Sequence, residues 1–117
     1  MTENKVATLV KQVLERTRSG ELAWQETASE DIFSVVIAGG KYILKSFNFT
    51  DWDDTHNHGI GPPSLALYKG DNKMVIDIRH DLEGVDANEL RSIHSLAMQK
   101  ALGIDESIDE VIKSLGI

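Results

Sequence analysis

The chain has no cysteine, only two prolines, and 6% aromatic residues across its 117 positions. Without cysteine, disulfides, thiolate metal sites and cysteine nucleophiles are all excluded. No apolar run approaches the ~20 residues that a membrane-spanning helix needs. Near the N-terminus, Glu3, Lys5 and Lys11 put charge where a secretory signal needs an apolar stretch. A cytoplasmic protein with no membrane contact is the expectation. Basic side chains are also scarce: 12 Lys and Arg stand against 19 Asp and Glu, a net charge of −7. That balance works against nucleic-acid binding, which depends on neutralising phosphates. The excess is uneven, because residues 81–117 carry eight acidic side chains against three basic ones. Such a tail is a solvated helix face or a surface for a basic partner.

The length fits one domain, 1–117, able to bury a core without staples. Residues 3–18 read as a helix, with Val6, Leu9, Val10, Val13 and Leu14 on one stripe and Gly20 beyond its end. Residues 21–30 read as a connector whose Trp24 plugs one end of the core. Four β-rich segments follow, at 32–38, 41–49, 64–69 and 73–79. Gly39-Gly40 supplies a tight turn between the first two, and Gly70-Asp71-Asn72 one between the last two. In the fourth, Met74, Ile76 and Ile78 alternate with Asp77 and Arg79. Asp86, with Glu89 three residues on, starts a second helix whose inward stripe is Leu90, Ile93, His94, Ala97, Ala101 and Leu102. Gly103 stops it. Asp105 caps a third helix with Ile108, Val111, Ile112 and Leu115 on one side. The expected fold is α+β, a four-stranded antiparallel meander with one N-terminal and two C-terminal helices burying their stripes on one sheet face.

Two features point toward function. One is the segment 51–63, which holds Trp52, three aspartates, His56 and His58 and leaves through Pro62-Pro63. A connection of that length inside a compact domain is often functional. His56 and His58, two apart, point the same way in extended chain, and Asp53 adds an oxygen, a set that suits a divalent metal. There is no HExxH, and the twelve-residue calcium-loop pattern fails at its sixth and twelfth places. Trp52, Asp53, His56 and His58, with Tyr68, also suit a small-ligand groove. No G-x-S-x-G elbow or phosphate-binding glycine loop is present, so the chain reads as non-enzymatic, with no cofactor beyond a possible divalent ion. His94, on the second helix near its apolar stripe, reads as a core or boundary histidine.

The other feature is the first hairpin, which is apolar in both registers. A single layer of helices covers one of them. Ile32, Val36, Tyr42, Leu44, Phe47 and Phe49 are therefore the candidate interface, for a second copy or another protein.

The run Leu90-Arg-Ser-Ile-His-Ser-Leu-Ala-Met-Gln-Lys-Ala-Leu-Gly-Ile-Asp-Glu-Ser-Ile-Asp-Glu-Val-Ile, with the size and the α-β4-α-α order, resembles small bacterial single-domain proteins of the kind carried on mobile elements such as integron gene cassettes. The resemblance implies no activity and transfers no site residue. The expectation is a protein-interaction or accessory regulatory domain acting as a homodimer. The alternative is a metal- or small-ligand-binding protein using 51–63.

Overall fold

The structure, a computed structural model, describes residues 2–29, 31–47 and 62–116. In chain order they form α1 (Thr2–Arg18), β1 (Gln25–Glu26), β2 (Ile32–Ile37), β3 (Tyr42–Phe47), β4 (Ser64–Lys69), β5 (Met74–Ile78), α2 (Ala87–Leu102) and α3 (Ile104–Ser114). The sheet is antiparallel throughout, in sequential order β1-β2-β3-β4-β5. It therefore has five strands where four were expected. Gln25 and Glu26 pair with Ser34 and Phe33 at one edge. Two polar residues are too short a run to show period-two alternation, so this strand has no sequence signature.

Phe33 and Val35 of β2, Leu44 of β3, Leu65 of β4 and Ile78 of β5 meet Val10, Val13 and Leu14 of α1 and Leu90, Ile93 and Ala97 of α2 in one buried cluster. The two helices pack against each other and take up this face of the sheet. Both read as helices for the reason they bury: the apolar residues recur at three and four positions, so one stripe faces the strands. Trp24 seals one end, as expected. Its indole Nε1 donates to Thr17 Oγ1 at 3.0 Å, and that hydroxyl donates to the Val13 carbonyl at 2.6 Å. Residues 17 and 24 are both buried, so the bond satisfies a donor that water cannot reach.

At the start of α2, Asp86 accepts from the Asn88 amide at 2.8 Å, the capping role its position implies. At its end Gly103 has φ 59° and ψ 45°, the left-handed conformation that a Cβ disfavours. Gly103 alone separates α2 from α3 and serves as N-cap of α3. Asp105 is thus not the cap; it sits inside the first turn, where its charge opposes the helix dipole favourably.

Three further expectations change. Leu102 is exposed, not part of the inward stripe. Met74 does not share a face with Ile76 and Ile78: a bulge opposite Leu67/Tyr68 makes Val75 the extra residue, so Met74 pairs with Tyr68 on the far face. The third change is the largest. The apolar stripe of α3 is not buried: Ile108, Val111, Ile112 and Leu115 are 52%, 56%, 41% and 68% exposed. With α1 and α2 already on the sheet, α3 touches α2 and leaves its apolar side open.

Candidate interaction surface

The strand register assigns every β residue to a face. Phe33, Val35, Leu44, Ser46 and Leu65 face the helices; the alternate positions face away. The away face is built of three rows across the strands. The first is Val36, Ile43, Tyr68 and Met74; the second is Ser34, Lys45, Ala66 and Asp77; the third is Ile32, Phe47 and Ser64. The middle row is small or charged, and apolar rows lie on either side. Val36 is 60% exposed and Met74 51%. Lys45 leans from the middle row toward the first, with its Nζ 4.6 Å from the Tyr68 ring centroid. That cation–π contact lays the lysine stem along the apolar surface of the first row.

Of the candidate interface residues, Ile32, Val36 and Phe47 share this away face. Tyr42 and Leu44 lie on the helix side, and Leu44 is a core residue at 2% exposure. The register explains the split, because neighbouring positions on one strand point to opposite faces. Phe49 lies outside the described residues. So do Trp52, Asp53, His56 and His58. Tyr68, the remaining candidate ligand residue, borders an open hollow of about 370 Å³ with Thr27, Ile32, Lys45 and Phe47. Among the described residues no group of three or more metal-ligating side chains comes together. None of the described helices is long and apolar enough to cross a membrane.

One pairing was not legible beforehand. Ser46 Oγ and His94 Nδ1 lie 2.8 Å apart, 48 residues distant in sequence, between the sheet and α2. The Phe33 ring stands 5.4 Å from the imidazole. A serine beside a histidine is the start of a nucleophile–base arrangement. Here Ser46 is 1% exposed and His94 6%, so no substrate reaches the hydroxyl. Among the described residues the buried His94 Nε2 has no hydrogen-bond partner and no third group orients the ring. The pair is a polar bond inside the core. Burial lowers the His94 pKa below the usual histidine value, and the negative charge of Asp31 opposes that shift.

Comparison of the chain with protein-family models, with curated proteins and with solved structures gives no match. The surfaces themselves must therefore carry any functional reading.

Proposed function

We propose that this chain is a non-enzymatic interaction domain that works as a homodimer, in an accessory or regulatory role. The observation that carries the reading is exposed apolar surface on two separate elements: Val36 and Met74 at the two ends of a sheet row whose Ile43 and Tyr68 are half-buried, and the stripe of α3. Single exposed apolar residues are ordinary, but contiguous ones rimmed by charge mark contact surfaces. Covering a Val, Met or Ile side chain completely contributes about 1.5–3 kcal/mol. A few such residues are enough to offset much of the rotational and translational entropy lost on association. The buried Ser46–His94 pair supports no catalytic role, since nothing can approach it.

Multi-angle light scattering on the full chain, from roughly 1 to 100 μM, tests the reading over the range in which standard interfaces assemble. The expected mass at the upper end is twice the 13.0 kDa of one chain. A single-chain mass throughout would overturn it.

A further inference from the structure

α1 and α2 lie side by side and run in the same direction. The Lys11 ammonium is 3.5 Å from the Glu89 carboxylate. Further along both helices, a Cβ added to Gly20 would lie 3.6 Å from the Lys100 ammonium. Leu90, Ile93 and Ala97 turn from α2 into the core. Between them, Arg91, Ser92, Ser95 and Leu96 line an open hollow of about 440 Å³ together with Arg18 of α1.

The hydrogen-bonding groups on this hollow are largely unspent. Neither arginine holds an ion pair among the described residues, and no described carboxylate lines the hollow. Helical hydroxyls commonly bond back to a carbonyl one turn earlier, as Thr17 does to Val13 in α1. The Ser92 and Ser95 hydroxyls make no hydrogen bond of any kind among the described residues. Ser92 and Ser95 are three residues apart, and Arg91 and Ser95 four, so the three stand on one side of α2. Arg91 Nη1 donates to Asn88 Oδ1 at 3.2 Å, which orients the guanidinium and leaves its other N–H groups for a ligand.

Helix electrostatics do not account for this pair of cations. Arg18 ends α1, where the dipole favours positive charge. Arg91 stands in the second turn of α2, where it does not, and shares the hollow with another guanidinium. In a chain of net charge −7, two arginines that meet without a carboxylate leave the anion to come from outside. Two guanidinium forks and two hydroxyls offer more donors than the two oxygens of a carboxylate use, and they suit the terminal oxygens of a phosphate. Arg18 and Leu96 also line an adjoining hollow of about 420 Å³, with Gln99, Asp105 and Glu106 on its wall. We infer that Arg18, Arg91, Ser92 and Ser95 bind the phosphate of a phosphomonoester, whose small hydroxylated part extends past Leu96 toward Gln99, Asp105 and Glu106.

Titrations of the full chain with sodium phosphate, glycerol phosphate and glycerol, read from backbone amide resonances at constant ionic strength, test the site. Phosphate should shift the amides of Arg18, Ser92 and Ser95 saturably, with a Kd in the millimolar range or below. Glycerol phosphate should bind severalfold tighter, and glycerol should not bind. Arg18→Gln and Arg91→Gln should each weaken phosphate binding at least tenfold. Both arginines are exposed, so the variants should melt close to wild type. Ser95→Ala should weaken binding severalfold. Shifts no larger than those from sodium chloride, or an unchanged Kd in R18Q and R91Q, would overturn the site. Equal affinity for phosphate and glycerol phosphate would overturn the extension past Leu96.

Discussion

Thr17→Val is the substitution that most directly tests how the core of this protein is closed. Valine matches threonine in shape and in helix propensity, so α1 is not weakened locally. What changes is the acceptor. Trp24 Nε1 donates to Thr17 Oγ1 at 3.0 Å in a site where both side chains are buried, and in the variant that indole N–H has no partner. An orphaned buried donor costs about 1–3 kcal/mol. The Val13 carbonyl also loses the threonine hydroxyl at 2.6 Å, but it remains inside α1 where the helix ladder supplies a donor. Trp24→Phe removes the donor instead and leaves the Thr17–Val13 bond intact, so its cost is lost contact area and a cavity. The two effects are then not additive. In the W24F background Thr17→Val orphans nothing and should cost less than about 0.5 kcal/mol, giving a coupling of about 1 kcal/mol or more in a double-mutant cycle. Urea melts of the four proteins measure this directly, and the single T17V variant should melt roughly 4–12 °C lower. An equal penalty for Thr17→Val in both backgrounds would refute the account, since it would show the hydroxyl acting through packing alone.

Two further outcomes follow from the core and the turns. The folded state holds His94 with a pKa below the usual 6.5, so between that value and the folded-state pKa the unfolded chain binds more protons. Stability should be complete above about pH 6.5 and fall as the pH drops below it, by up to about 1.4 kcal/mol per pH unit. His94→Gln should flatten that component in denaturant melts between pH 7 and 5, and an unchanged slope would count against it. Gly70→Ala should destabilise by about 1–3 kcal/mol, because an added Cβ would lie 2.5 Å from the Gly40 carbonyl oxygen in the adjoining turn. A midpoint equal to wild type would show that the two turns separate freely.

Local pattern carried much of this protein. The period-3.6 stripes of α1 and α2, the Asp86 cap, the Gly103 stop and the four longer strands all depend on neighbours within about eight residues, where the physics is that of the backbone and its own side chains. The α+β class follows from them. The two-residue strand Gln25–Glu26 depends instead on β2 being there to pair with it. The Val75 bulge depends on the partner strand in the same way, and it alone decides that Met74 joins Tyr68 on the away face.

The functional surfaces divide along the same line. Apolar residues in both registers of the β2–β3 hairpin were visible in the sequence, and they gave Ile32, Val36 and Phe47 as candidates. Only the register showed Leu44 turning into the core and Lys45 reaching over Tyr68. Ser46 and His94 meet across 48 residues of chain because β3 and α2 pack, and no spacing rule reports that. The sequence alone determined that α3 is amphipathic, since amphipathicity is a matter of spacing. Whether its stripe is buried was a question of how many helices one sheet face can hold. α1 and α2 fill that face, and the apolar side of α3 is left exposed.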